Sequence, residues 1–150
     1  MNRLAVYIST LGPIGKLPVA PGTWGSAAAV VLWWFVLSAL ELHVFWTVVV
    51  LVALVAVMAS THAERVLGRD ARPIVIDEVV GQWIPLAICD KRLVPVALAF
   101  ILFRLFDIVK PFPVNVSQKL KGGVGVVVDD LLAGGYSLLI LVVLDRLDIV

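Results

Sequence analysis

The stretch HVFWTVVVLVALVAVMAS, at residues 43–60, contains no Asp, Glu, Lys or Arg side chain. The hydrocarbon core of a bilayer is about 30 Å thick, and a helix needs about 20 residues to cross it. Residues 43–60 therefore predict a membrane-embedded helix. Four further apolar runs lie at residues 26–40, 79–89, 93–106 and 126–144; the first two of these contain no charged side chain, whereas the third contains Arg104 and the fourth contains Asp129 and Asp130.

Short polar connections between these runs predict how the runs are arranged. The connection at 41–42 predicts a helical hairpin, and the one at 90–92 predicts a second hairpin whose first arm is short and contains Pro85. Gly134 and Gly135 in the last run predict a close approach to another helix. We predict an all-α integral membrane bundle of about four to five membrane-embedded helices, with residues 114–120 lying along the membrane interface.

The composition supports a membrane protein and excludes other classes. Hydrophobic residues make up 61% of the chain and charged residues 15%, whereas soluble domains have about 45–50% apolar and about 25% charged residues. The net charge of +1 provides no basic surface for nucleic acid. Cys89 is the only cysteine, which excludes an intramolecular disulfide. No linker divides residues 1–150, so we predict a single domain.

The basic residues predict which end of the bundle faces the cytoplasm. If the hairpins alternate, eight basic residues lie on one side of the membrane and three on the other. The positive-inside rule places the richer side in the cytoplasm. Every acidic cluster of interest falls on that same side, so we predict one site at the cytoplasmic end. The eight residues are Arg3, Lys16, Arg65, Arg69, Arg72, Lys110, Lys119 and Lys121, and the three are Lys91, Arg92 and Arg146.

Two adjacent acidic pairs are candidates for a metal site. Asp77 and Glu78 open the third run, where one of them would also suit a helix N-terminus electrostatically. Asp129 and Asp130 lie inside an apolar run, where like charges repel unless a cation compensates them. Mg²⁺ binds carboxylates together with waters and phosphate oxygens. The pairs therefore predict a Mg²⁺ site; the alternative is an acid paired with Arg104 that holds helices together.

The segment FRLFDIVKP, at residues 103–111, places three charged side chains near one helical face. Arg104 offers a two-pronged donor to a phosphate, and Lys110 offers a point charge. Asp107 lies between them and could hold either one in place. The segment predicts phosphate binding or, alternatively, an intrahelical ladder of ion pairs at the membrane boundary.

The segment LPVAPGTWGS, at residues 17–26, leads directly into the first apolar run. A glycine-rich turn that enters a helix exposes backbone N–H groups and the positive end of the helix dipole, which suits a phosphate. The alternative is a rigid entry loop in which Ser26 caps the helix.

These segments resemble, in this order, the motif set of the bacterial phosphatidylglycerophosphatase A family. The resemblance covers residues 17–134 and includes IDEVVGQW at 76–83, FRLFDIVKPFP at 103–113 and GGVGVVVDDLLAG at 122–134. It implies a Mg²⁺-dependent enzyme of the bacterial cytoplasmic (inner) membrane. Such an enzyme removes the terminal phosphate of phosphatidylglycerophosphate in the bilayer and yields phosphatidylglycerol. The sequence leaves open whether the chain forms an oligomer.

The residues and the resemblance predict the same site. Water activated by the metal ion is the preferred nucleophile, and an aspartyl-phosphate intermediate stays open. The predicted metal ligands are Asp77, Glu78, Asp129 and Asp130. These four residues and Asp107 are the predicted catalytic residues. The predicted substrate-binding residues are Thr23, Ser26, Arg104 and Lys110.

A membrane transporter or ion-coupled carrier is the alternative function, because acids at membrane depth also serve cation pathways. A carrier would place its acids at mid-span. Here the acids lie at the ends of the runs beside basic residues, which favours phosphate chemistry. A purely structural subunit offers no reason for so many charges to meet on one side.

Overall fold

The computed structural model describes residues 2–117, 120 and 122–149, and within these ranges the chain forms helices and no strand. This confirms the predicted all-α class. Short 3-10 turns at Ile14–Lys16 and Leu37–Ala39 flank the second helix. The α-helices are α1 (Asn2–Ser9), α2 (Pro21–Phe35), α3 (Leu42–Leu67), α4 (Ile76–Leu86), α5 (Leu93–Val109), α6 (Val114–Ser117) and α7 (Gly123–Arg146).

Three helical segments are long and apolar enough to cross a membrane, namely Pro21–Ala39, Leu42–Leu67 and Gly123–Arg146. Their outer faces carry large apolar side chains; on α3, for example, Val50, Leu51 and Leu54 are each more than half exposed. Water-facing apolar surface of this extent is unusual in a soluble monomer. The outer surface is therefore consistent with a membrane protein.

Helix α4 is short and lies at the centre of the bundle. Its 11 residues span about 16 Å, too little to cross a bilayer. All but Glu78 are buried, because α2 and α7 pack on α4. The indole N–H of Trp83 donates a 3.1 Å hydrogen bond to the carbonyl of Ala29 and so fixes α4 to α2. The third apolar run, predicted as the short arm of a membrane hairpin, is thus a buried helix in the core of the bundle.

Glycines allow α4 and α7 to pack closely. A Cβ atom on Gly134 would overlap the carbonyl oxygen of Gly81, and a Cβ on Gly81 would come within 2.7 Å of the carbonyl oxygen of Asp130. The predicted close approach through Gly134 is confirmed. Gly135, by contrast, has open space beside it, because a Cβ atom there would meet nothing within 4 Å. The close contact between these helices positions the acidic residues that both of them carry.

The two helices of the first predicted hairpin, α2 and α3, pack mainly on other helices. The main partner of α2 is α4, and the main partners of α3 are α1 and α7. The two helices follow each other in sequence but are joined largely through α4. Every residue of α4 except Glu78 is buried, so this helix is covered from several sides by its neighbours.

Helix α1 was not predicted, and it supports the loops beside the site. It packs on α3. The carbonyl of Ser9, at its C-terminus, accepts a 2.8 Å hydrogen bond from the N–H of Val75. This bond ties the segment before α4 to the N-terminal helix.

The predicted interfacial segment, residues 114–120, is described only in part. Helix α6 buries Val114 and Ser117 and exposes Asn115 and Val116. Residues 118 and 119 lie outside the described residues, so the position of the whole segment stays a prediction.

Candidate active site

A cavity of about 510 Å³ lies at the end of the bundle where α2 and α4 begin and α5 ends. It gathers seven of the nine residues that the sequence predicted for the site. Six of them come from three helices, α4, α5 and α7, which are far apart in the sequence, and Lys110 directly follows α5. The seven are Asp77, Glu78, Arg104, Asp107, Lys110, Asp129 and Asp130.

Three carboxylates converge in this cavity. Asp77, Glu78 and Asp130 each present an oxygen, and these oxygens lie within 4.8 Å of one another. Among the described residues, Asp77 Oδ1, Glu78 Oε2 and Asp130 Oδ2 are buried without a hydrogen-bond partner. Burying a charge without a partner is costly. The three carboxyl groups therefore form a set that a cation would satisfy.

The pKa values of the two acidic residues of α4 show the cost of burying these carboxylates. Helix α4 lies outside the three candidate membrane spans. Burial raises the pKa of Asp77 well above its ordinary value, and the charge of Glu78 raises it further. Burial also raises the pKa of Glu78, to about 7. Both shifts mean that the protein alone disfavours the ionised forms. A divalent cation would reverse this preference.

The charge balance of the cavity leads to the same conclusion. Six acidic and four basic side chains line it, which leaves an excess of two negative charges when all of them are ionised. A phosphomonoester carries between one and two negative charges near neutral pH, so this excess would repel it. A bound divalent cation would cancel the excess. The four basic residues are Lys16, Arg72, Arg104 and Lys110, and the acidic ones are Asp70, Asp77, Glu78, Asp107, Asp129 and Asp130.

Asp129 contacts Lys110 instead of the three converging carboxylates. The Lys110 Nζ atom lies 2.6 Å from Asp129 Oδ2, and the Asp129 side chain is only 4% exposed. Lys110 stands one residue beyond α5 in a left-handed conformation, with φ of 47°. Burial lowers the pKa of Lys110, but the hydrogen bond and charge of Asp129 outweigh it, so the pKa lies above its ordinary value. Lys110 is therefore a cation, and the role of Asp129 as a metal ligand stays a prediction.

Arg104 forms the ion-pair ladder that was the alternative for its segment. Arg104 Nη1 lies 2.8 Å from Asp107 Oδ2, and Lys110 Nζ lies 3.8 Å from Asp107 Oδ1. Arg104 Nη1 also donates a 3.4 Å hydrogen bond to Ser26 Oγ on α2. The alternative pairing of Arg104 with Asp129 or Asp130 is not the one the structure contains. Arg104 Nε is buried without a hydrogen-bond partner among the described residues.

Thr23 and Ser26 do not occur among the described residues that line the cavity. Ser26 is fully buried, and its hydroxyl donates to the carbonyl of Gly22 at 3.0 Å. The alternative of Ser26 as a helix cap is wrong, because α2 begins at Pro21 and Ala20 is its N-cap. A direct contact of Thr23 or Ser26 with phosphate stays a prediction. What the structure assigns to Ser26 is a contact with Arg104.

The N-terminus of α2 nevertheless faces the cavity, because Pro21 and Gly22 line it. Gly22 has no room for a side chain: a Cβ there would overlap Glu78 Oε1 and lie 3.3 Å from Arg104 Nη1. The glycine of this motif therefore lets the backbone of α2 approach the acidic and basic groups of two other helices.

Sequence reasoning missed four polar residues in or near the site. Lys16, Asp70 and Arg72 are exposed residues that line the cavity. The available signal was their proximity to two motifs: Lys16 directly precedes residues 17–26, and Asp70 and Arg72 lie a few residues before residues 76–83. Gln82 is fully buried, and neither of its amide atoms has a hydrogen-bond partner among the described residues. The sequence feature that could have revealed Gln82 was a single amide side chain in an apolar run, one helical turn after Glu78.

The fold and the cavity define a helical protein, consistent with a membrane location, that carries a buried site of acids and cations. The phosphatidylglycerophosphatase A family model matches residues 7–145. The chain therefore belongs to the phosphatidylglycerophosphatase A family. Membership of a phosphatase family confirms the predicted enzyme class.

Three proteins of similar sequence each align with most of the chain. A Bacteroides thetaiotaomicron protein provisionally named a phosphatidylinositol-3-phosphatase is 42% identical over 93% of this chain and 92% of its own length. A Haemophilus influenzae phosphatidylglycerophosphatase A is 37% identical over 93% of both chains. An Escherichia coli phosphatidylglycerophosphatase A is 35% identical over 82% of this chain and 73% of its own. No solved structure matches the chain significantly.

Proposed function

We propose that this chain hydrolyses the terminal phosphomonoester of phosphatidylglycerophosphate and releases inorganic phosphate and phosphatidylglycerol. The observation that carries the proposal is the cavity in which three converging carboxylates lie beside Arg104 and Lys110. Carboxylates that can hold a divalent cation, next to fixed cations, form the usual equipment for phosphoryl chemistry. Two relatives named for this activity support the substrate.

Mg²⁺ is the cofactor of this proposal, and the residues present suit it. Asp77, Glu78 and Asp130 offer hard oxygen ligands from two helices, and their unpartnered oxygens leave positions for a cation. When bound, the ion would polarise the phosphoryl oxygen and lower the pKa of a coordinated water. The side chains hold their ligand oxygens together because α4 and α7 are in close contact at Gly81 and Gly134.

Arg104 and Lys110 have the task of binding the phosphate. Asp107 accepts from Arg104 Nη1 and lies near Lys110, so it keeps both cations at the cavity wall. Ser26, on α2, accepts a hydrogen bond from Arg104 and so limits the movement of the Arg104 side chain. Arg104 lines the cavity, and its guanidinium group is suited to donating hydrogen bonds to phosphate oxygens. Fixed donors stabilise the charge that develops when the phosphorus–oxygen bond breaks.

A lipid substrate can reach this site from the bilayer. Leu17, Val19 and Trp24 lie in the loop and first turn beside the cavity, and all three are exposed. Apolar and aromatic residues at such a position suit the membrane interface. The acyl chains can therefore stay in lipid while the head group enters the cavity. In this proposal the protein lies in the bacterial cytoplasmic membrane, with the cavity at the cytoplasmic face.

A second candidate substrate is phosphatidylinositol 3-phosphate. The observation that favours it is the relative of 42% identity with that activity in its name. The chemistry would be the same, since both lipids carry a phosphomonoester on a head group joined through a phosphodiester. The carrier alternative lacks such support, because the family is one of phosphatases.

Phosphate release from purified, detergent-solubilised protein tests the proposal. Phosphatidylglycerophosphate and phosphatidylinositol 3-phosphate would be presented in identical micelles, with Mg²⁺ or with a chelator. We expect Mg²⁺-dependent release that is faster from phosphatidylglycerophosphate. Faster release from the inositol lipid would transfer the assignment to the second candidate. No release from either lipid by folded protein would contradict both.

A further inference from the structure

Two basic residues at the cavity mouth have no role in the site as described so far. Lys16 and Arg72 line the cavity and are exposed. Within the described part of the chain, neither side chain has an ion-pair partner, unlike Arg104 and Lys110. Asp70 lies at the same mouth, so the three charges there sum to one positive charge. The mouth is therefore weakly positive, while the inner acids make the cavity as a whole negative.

Local packing holds these two residues at the same place. Gly15 lies against the backbone of Pro73, and a Cβ on Gly15 would overlap the Pro73 carbonyl oxygen. The Gly15 N–H also donates a 2.8 Å hydrogen bond to the Thr10 carbonyl. Lys16 and Arg72 are the direct neighbours of Gly15 and Pro73. Because the two loops meet at this contact, both cations are carried to one edge of the cavity.

The order of groups in the lipid determines what these cations meet. The phosphomonoester is the terminal group, and it enters furthest, toward the carboxylates and Arg104. The phosphodiester lies nearer the acyl chains and follows it. At the mouth, Lys16 is followed directly by Leu17, an apolar residue that lines the cavity and is 40% exposed. A cation next to an exposed apolar residue at the cavity is where the phosphodiester of a bilayer lipid would lie.

We propose that Lys16 and Arg72 bind the phosphodiester of the lipid substrate and thereby select head groups that carry two phosphates. This inference rests on the proposed function. It gives the enzyme a reason to prefer a lipid with both a phosphomonoester and a phosphodiester over a compound with a single phosphate. Both candidate lipids carry this pair of groups.

Steady-state kinetics on Lys16→Gln and Arg72→Gln test the inference with phosphatidylglycerophosphate in micelles. Each substitution should raise KM roughly fivefold and leave kcat within about twofold, because an exposed charge contact contributes binding that is equal in ground and transition states. The rise should shrink at high ionic strength. Inorganic phosphate, which lacks the diester, should inhibit the variants and the wild type with the same inhibition constant.

Arg65→Gln is the matched control, because Arg65 is an exposed cation at the same end of the bundle that does not line the cavity. Its KM should equal that of the wild type. An equal rise in KM for the control would overturn the inference in favour of a general surface charge effect. A parallel rise in the inhibition constant of phosphate would place the two residues in the monoester site and also overturn it. An unchanged KM in both variants would exclude the contact, whereas a wild type without activity would refute the proposed function itself.

Discussion

The two ends of the helical bundle carry similar ion pairs in opposite environments. At the far end, Arg92 and Asp90 lie 3.4 Å apart with side chains 61% and 77% exposed. At the cavity end, Lys110 and Asp129 lie 2.6 Å apart with side chains 25% and 4% exposed. Exposed pairs contribute little, whereas buried charges demand partners. The contrast supports the proposal that the buried charges at the cavity end bind a ligand.

Removing one of the converging carboxylates should have the largest effect. Asp130→Asn should lower phosphate release at least about a thousandfold, because it removes a proposed metal ligand, and such a ligand contributes several kcal/mol to the transition state. The metal-free variant should unfold no more easily than the wild type, since one uncompensated buried charge is gone. Asp90→Asn at the far end serves as the control and should keep wild-type activity. Equal losses in both variants would remove the distinction between the two ends.

Breaking the buried pair should have the next largest effect. Lys110→Met leaves Asp129 as a buried charge without its partner and should cost about 3 kcal/mol in the free energy of unfolding. Arg92→Met, which breaks the exposed pair, should cost less than about 0.5 kcal/mol. Unfolding of both variants in a denaturing detergent series measures the difference. Similar costs would show that burial does not separate the two pairs.

A smaller effect is expected from the glycines of α7. Gly134→Ala should cost about 2 kcal/mol, because the new methyl group would overlap the Gly81 backbone and force α4 and α7 apart. Gly135→Ala should be neutral or slightly stabilising, because its surroundings are open and alanine favours the helix. The same unfolding series compares them. A destabilised Gly135 variant would mean that the helix surface is more crowded than the structure shows.

The smallest effect concerns Trp83, whose indole joins α4 to α2. Trp83→Phe removes the hydrogen bond to the Ala29 carbonyl and should cost about 1 kcal/mol. Trp24→Phe removes an indole that is 55% exposed and should have little effect on unfolding. Equal stability of the two variants would argue that the buried hydrogen bond adds nothing to the position of α4.

The apolar runs of the sequence predicted the long helices, but the helix ends in the structure differ from the ends of those runs. Helix α4 begins at Ile76 instead of residue 79, and α3 continues to Leu67 instead of ending at residue 60. The apolar runs stop where charges begin, whereas a helix continues through charges that suit its ends. Asp77 and Glu78, for example, occupy the first turn of α4. Helix α1 has only eight residues, too few for a hydropathy pattern to reveal it.

The candidate site was predictable as a set of residue types but not as a set of contacts. Asp129 and Asp130 are neighbours in sequence, yet about 100° separates adjacent side chains on a helix. One therefore reaches Lys110 while the other joins Asp77 and Glu78. Lys16 and Arg72 reach the cavity through the packing of two loops, which no periodicity in the sequence records. Ser26 lies inside α2 because that helix begins earlier than its apolar run.

Binding of Mg²⁺ to the three converging carboxylates can be measured without catalysis. The midpoint of thermal unfolding of the purified protein in detergent would be followed while Mg²⁺ is titrated. We expect a saturable rise of a few degrees in the wild type and in Asp90→Asn, and no such rise in Asp130→Asn. A wild type that ignores Mg²⁺, or a rise of equal size in Asp130→Asn, would contradict the claim that the buried carboxylates hold a divalent cation.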